Sequence, residues 1–179
     1  MFSPQKTIVS IDLKGMIASG SRAPLNMDNL NGLFSKLMKM KFNALSIVIN
    51  SPGGSPVQSS LIAQKIREIS AKKKVKCYCF VEDVAASGGY WLACAADEIY
   101  ADVNSIVGSI GVISGGFGFT DLIKKIGVER RIFTAGENKS FLDPFQKVNK
   151  KDEDKLIKLQ KSIHQNFIDW VSSRRKKKL

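Results

Sequence analysis

Apolar residues alternate with polar ones through Thr7–Leu13, then recur every three or four positions from Asn26 to Lys41. The first spacing predicts a strand and the second an amphipathic helix built on Leu30, Leu33, Phe34 and Leu37, with Asn26 or Asp28 as its cap. Ala44–Ile49 is a short, nearly continuous apolar run, the mark of a buried parallel strand. The loop Asn50–Pro56 leads into a helix to about Lys72, with Leu61, Ile62, Ile66 and Ile69 on one side. A strand at Val75–Val81, a connector at Glu82–Ala86, a helix at Ser87–Ala96 and a strand at Glu98–Ala101 follow. Gly108, Gly111, Gly115, Gly116 and Gly118 surround the apolar piece Ile110–Ile113. Beyond them the pattern predicts a helix at Phe119–Ile126 closed by Gly127, a strand at Glu129–Thr134 and a polar loop at Ala135–Asn149. A final helix, Lys151–Val171, turns Leu156, Leu159, Ile163, Phe167 and Trp170 to one face. Strands alternating with helices imply right-handed crossovers and a mostly parallel sheet covered by helices, an α/β fold. No linker divides the chain, so residues 1–179 read as one domain with a basic, frayed tail at 172–179.

Composition agrees with a packed domain. The chain has 179 residues, 44% hydrophobic and 25% charged, which excludes a disordered or collagen-like polymer. No run approaches 18 apolar residues, and Met1–Lys14 lacks a basic-then-apolar leader, so the expectation is a soluble, cytoplasmic protein. The net charge of +12 is uneven, because residues 147–179 hold eleven basic and four acidic side chains. That end reads first as a solvated helix face. Peripheral contact with an anionic membrane is the alternative use. Arg174–Lys178 has no interleaved aromatics for stacking on bases, which argues against nucleic acid. Cys77, Cys79 and Cys94 form no paired motif and His164 is the only histidine, so buried free thiols and no metal site are expected.

Two glycine-rich turns, Asn50–Gly54 and Ala85–Gly89, each follow a predicted strand and enter a helix. In a parallel sheet such turns lie at the carboxyl ends of the strands, where sites are built. Glycines there let backbone N–H groups face a phosphate or an oxyanion. Neither turn matches a phosphate-loop or dinucleotide fingerprint. Ser87, at the mouth of a helix, is either a helix cap or an exposed nucleophile, and residue type alone favours the cap. A nucleophilic serine needs a base. His164 sits far along the chain among charged neighbours, which leaves a lysine, since desolvation can bring an ammonium within reach of giving up its proton. Lys139, the first lysine of the long polar loop and followed by Phe141–Leu142 and Pro144–Phe145, is one candidate among many. Leu61, Tyr90 and Phe117 read as core residues.

Four segments in order carry a resemblance: NSPGG at 50–54, AASGGYWLACAADEIYA at 85–101, GSIGVI at 108–113 and AGENKSFLDPF at 135–145. Over about Thr7–Val171 the chain resembles the signal peptide peptidase A family of Ser–Lys peptidases, and is most similar to its compact SppA/SohB-like bacterial members. The resemblance implies a ClpP/crotonase-like α/β fold of repeated ββα units. It implies peptide-bond hydrolysis through an acyl-enzyme, with no cofactor. Carried over by position, Ser87 is the nucleophile, Lys139 the general base and Ser109 a residue that positions the lysine amine. The Gly53–Gly54 turn, with Gly54 the favoured donor, and a backbone N–H near Ser87, at Gly88, form the oxyanion hole. The family also implies a homo-oligomeric ring in which serine and lysine come from neighbouring protomers, acting on peptides such as signal-peptide remnants.

The chain departs from the family in three expected ways. It shows no N-terminal membrane anchor, it stops at Arg174–Leu179 where relatives continue, and it has Asn138 where a tyrosine is frequent. Two other functional classes stay open at this stage. One is a crotonase-like acyl-CoA enzyme using the same backbone donors. The other is a catalytically silent scaffold whose basic end binds an acidic partner or membrane surface.

Overall fold

The structure is a computed structural model that describes residues 6–20, 22–136 and 139–175. It divides into two compact units, residues 1–111 with 166–179, and residues 112–165.

The first unit is organised on five parallel strands: β1 (Ile8–Lys14), β2 (Ala44–Ser51), β3 (Lys76–Ala86), β4 (Glu98–Ala101) and β5 (Ile106–Gly108). The order is β1-β2-β3-β4, and β5 pairs with the end of the long β3. One face of the sheet is apolar and buried, carrying Ile11, Leu13, Leu45, Ile47, Ile49, Cys77, Cys79 and Val81. Helices α1 (Met27–Lys39) and α2 (Pro56–Lys73) pack Leu30, Phe34, Leu37, Ile62, Ile66 and Ile69 into that core. Their ends follow from sequence chemistry. Asn26 Oδ1 accepts the Asn29 N–H at 2.8 Å, and Ser55 caps α2 ahead of Pro56 at its first turn. The short helix α3 (Gly88–Ala93) is buried along its whole length.

Several expectations need correction. Glu82–Ala86 is strand rather than connector. The register slips between Ile49↔Val81 and Ser51↔Ala85, a bulge that absorbs Glu82 and Asp83. Those two acids are held by Lys14 Nζ and Asn50 Nδ2, both at 2.6 Å. The sequence pattern misses β5, whose Ile106 and Val107 are exposed, because it exists only through pairing with Val84–Ala86. Leu61 is exposed on α2, whereas Tyr90 is core as expected.

The second unit contains α4 (Thr120–Lys125) and the first part of α5 (Lys150–Arg175). Glu129–Thr134 is not a strand. No other strand lies in this unit among its described residues, so an extended segment there has no ladder to join. Phe117 is exposed rather than core. Local contacts shape the loop after it: the Phe119 N–H donates to Pro144 O at 2.7 Å, the Phe119 ring packs against Phe145 in a tilted arrangement, and the Arg130 guanidinium lies over the Phe145 ring. Helix α5 continues through Arg175, so residues 172–175 are helical where a frayed tail is expected. Of the apolar face predicted for α5, Phe167 is buried and Leu159 is exposed.

Candidate active site

The site grows from the carboxyl ends of β2 and β3. Ser87 is the single residue between the end of β3 and the start of α3, and its backbone is forced to φ 51°, ψ −120°. A non-glycine residue there is strained, and such strain persists only where surrounding contacts over-determine it. Here they do. The Ser87 N–H donates to Gly108 O at 2.8 Å, tying the turn to the end of β5, and Ser87 O accepts the Trp91 N–H at 3.0 Å. The Ser87 side chain makes no capping hydrogen bond, so the helix-cap reading is excluded. A serine on a sharp strand-to-helix turn, its hydroxyl making no hydrogen bond among the described residues, has the geometry of a nucleophile elbow.

The turn after β2 lies against it. Gly53 has φ +98°, and a Cβ there would meet Ala86 O and Gly88 N at 2.7 Å and the Ser87 Cβ at 2.8 Å. Gly54 has φ +143°, and a Cβ would fall 1.9 Å from Ile17 O. Only glycine allows this approach. The turn is pinned by Ile17 N–H to Gly53 O at 2.9 Å and Ser55 N–H to Ile17 O at 2.7 Å. The Gly53 N–H is occupied by Ser51 Oγ at 3.2 Å, while Ser51 itself donates to Gly15 O at 2.7 Å. The N–H groups of Gly54 and Gly88 meet no acceptor among the described residues, and a Cβ on Gly88 would stand 3.3 Å from the Gly54 nitrogen. Two free backbone donors therefore flank the serine.

Ser109 follows Gly108, the residue that receives the Ser87 N–H, and is itself at φ 57° on the exposed surface. The structure thus brings Ser87, Gly53, Gly54, Gly88 and Ser109 together in the first unit. Lys139 belongs to the second unit, where it is exposed and lines a cavity of about 330 Å³ with Arg130, Ile132, Ser140, Phe141 and Asp143. Asp143 shapes that loop. Its side chain is 7% exposed, Oδ1 accepts the Phe145 N–H at 3.0 Å, and Oδ2 faces Arg130 Nε at 3.5 Å. Asn138 lies outside the described residues. His164 sits partly buried on α5, also in the second unit.

The three cysteines are buried free thiols. Burial pushes Cys77 up to about 12 and Cys94 up to about 11, and raises Cys79 as well. At neutral pH they are small apolar groups, without the thiolate that nucleophilic chemistry needs. Among the described residues, no helix is long and apolar enough to cross a membrane.

A strained serine beside two backbone donors that meet no acceptor among the described residues is an arrangement chemically able to support acyl transfer. Comparison with known proteins narrows the class: the model of peptidase family S49 matches residues 69–179, and the chain belongs to that family. It is 52% identical over 173 residues to a protein of Brucella melitensis named Na(+)/H(+) antiporter NhaA, covering 94% of this chain and 24% of that one. It is 29% identical to a putative signal peptide peptidase SppA of Enterococcus faecium, over 95% of this chain and 51% of that protein. Among solved structures, a mutant of the 1510-N membrane-bound stomatin-specific protease aligns over 95% of this chain and 70% of its own, at 16% identity and a TM-score of 0.49. The chain spans between about a quarter and a half of the length of these two sequence relatives. The antiporter name therefore describes a protein about four times as long as the shared segment.

Sequence reasoning picks out the two turns but misses what supports them. Ser51, Ile17 and the end of β5 carry no chemical signature, and their part in the site comes from register alone.

Proposed function

We propose that this domain is a serine peptidase whose nucleophile is Ser87. The observation that carries the reading is the Ser87 turn itself, strained, uncapped and flanked by the free N–H groups of Gly54 and Gly88. Membership of family S49 supports the same chemistry over the acyl-CoA and silent-scaffold alternatives.

In this mechanism Ser87 Oγ attacks the scissile carbonyl while Lys139 takes its proton, and Ser109 orients the lysine amine. The developing oxyanion accepts hydrogen bonds from Gly54 and Gly88, each donor lowering the barrier by about 3 kcal/mol. Collapse expels the amine, which leaves with the proton held by Lys139, and water then releases the acyl group from Ser87 by the reverse proton path. The substrate class is peptides, including signal-peptide remnants. The active form is a homo-oligomeric ring in which neighbouring protomers supply serine and lysine, with peripheral contact to an anionic membrane through the basic end.

The test is hydrolysis of a fluorogenic peptide library by the wild type, Ser87→Ala and Lys139→Ala, each sized by light scattering. The expected result is cleavage by an oligomeric wild type and a fall of about 10³-fold or more in both variants. Wild-type rates in a folded Ser87→Ala protein would overturn the assignment.

A further inference from the structure

Helix α3 has six residues, too few to hold its own geometry in water, so its position must come from what grips it. The grip is concentrated in the last turns of α5. Trp91 is flanked by Phe167, with ring centroids 4.8 Å apart, and by Trp170 at 6.2 Å in a stacked arrangement. Trp170 Nε1 donates to Trp91 O at 3.0 Å, and the Trp91 N–H is the group that holds Ser87 O at 3.0 Å. One residue of α3 therefore links the Trp170 indole to the carbonyl of the candidate nucleophile through two hydrogen bonds.

The far end of α3 is held as firmly. Arg174 Nε donates to Cys94 O at 3.0 Å and its Nη2 to Ala96 O at 3.3 Å, while Arg67 from α2 reaches Ala95 O at 3.2 Å. Asp97 joins the two guanidinium groups, 2.8 Å from Arg67 and 3.3 Å from Arg174, and accepts the Cys77 N–H at 2.9 Å. Two cations thus cover the three consecutive carbonyls that follow the C-terminus of α3, the end at which the helix dipole favours positive charge.

The geometry points to Trp170 and Arg174 as positioning residues for Ser87, setting the tilt of α3 and with it the hydroxyl and the Gly88 N–H. This inference rests on the peptidase reading for its kinetic consequence, though the grip itself is independent of chemistry. Small displacements of reacting groups cost large factors in rate, so loosening α3 acts on the acylation step.

The experiment uses the full chain with Trp170→Phe, which keeps an aromatic ring at this position and removes the donor along with part of the indole, together with Arg174→Gln and Arg174→Lys. The probe is a fluorophosphonate, read as the first-order acylation constant at saturation separately from the half-saturating concentration, at a temperature where each variant is folded. Leu37→Val serves as a control for stability loss remote from α3. We expect the acylation constant to fall about tenfold or more in Trp170→Phe and Arg174→Gln with half-saturation unchanged. Arg174→Lys should recover part of the loss, and Leu37→Val should lose none. Unchanged constants in folded Trp170→Phe and Arg174→Gln proteins overturn the proposal. Amide exchange at Gly88–Trp91 is read in the same samples: faster exchange in the two variants supports the grip and unchanged exchange overturns it. An unlabelled wild type would overturn the nucleophile reading alone, leaving exchange to decide the grip.

Discussion

The first unit buries a continuous cluster from Ile11 to Ala96, completed by Phe167 and Val171, whereas none of the described residues from 112 to 165 is buried. In the second unit Ile113 and Phe133 are more than nine-tenths exposed, and order comes from a few local contacts around Phe145 and Asp143. The contrast teaches where each half of the proposed chemistry can reside. A residue at positive φ such as Ser87 is tolerable only inside a network that outweighs its strain, and the packed unit supplies it. Lys139 is carried on a loop whose shape is defined by hydrogen bonds and one ion pair rather than by buried area, so its surroundings are the more adjustable of the two.

The strongest attack on this contrast is Gly54→Ala. Its Cβ would stand 1.9 Å from a backbone oxygen, at a φ that side chains rarely adopt. The expected loss is about 3 kcal/mol or more, with insoluble or unfolded protein the visible outcome on purification. A soluble Gly54→Ala protein with wild-type melting would mean the two turns are not locked as described.

Next in size is a matched pair of phenylalanines. Phe34 is fully buried on α1 and Phe133 is 93% exposed. Phe34→Ala should cost about 3–5 kcal/mol in denaturant midpoints, and Phe133→Ala within about 0.5 kcal/mol. A large loss for Phe133→Ala would show that the second unit buries this ring in solution, and the contrast between the units would narrow.

The smallest effect concerns pH. Burial works to raise the Asp97 carboxyl, but the Cys77 N–H, Arg67 and Arg174 outweigh it and hold the group below the usual carboxylate range. A depressed pKa in the folded state makes the contribution complete at neutral pH and lost as pH falls through the lowered value, below about pH 4. Melting temperatures of the wild type and Asp97→Asn should differ at pH 7 and converge towards pH 3. A constant gap across that range would remove Asp97 from the linkage.

Much of this was legible in the chain itself. Leu30, Phe34 and Leu37 mark α1, the run Ala44–Ile49 marks a central strand, and NSPGG and ASGG, each following a strand, mark two turns at the carboxyl end of the sheet. These signals work because burial on one face imposes a period on the sequence. Glu129–Thr134 shows the limit: it has the composition of a strand but no partner, and a ladder cannot be read from one segment. The continuation of β3 through Glu82 and Asp83 was hidden for the opposite reason, since charged residues at a bulge look like a connector.

For the site, residue types alone marked Ser87 and its glycines but could not choose between a cap and a nucleophile. The backbone at Ser87, φ 51° with no capping hydrogen bond, sets the cap aside, and it is held there by the bond to Gly108 O and the closeness of Gly53 to Gly88. The sequence by itself determined the alternation of strands and helices, the positions of the glycine turns and the excess of basic charge, because each depends on residues near one another in the chain. Tertiary structure alone decided the strain at Ser87, the donors left free beside it and the hold of Trp170 and Arg174 on α3. Each depends on groups distant in the chain meeting in space, up to 80 residues apart for Arg174 and Cys94, and only the packed fold brings them together.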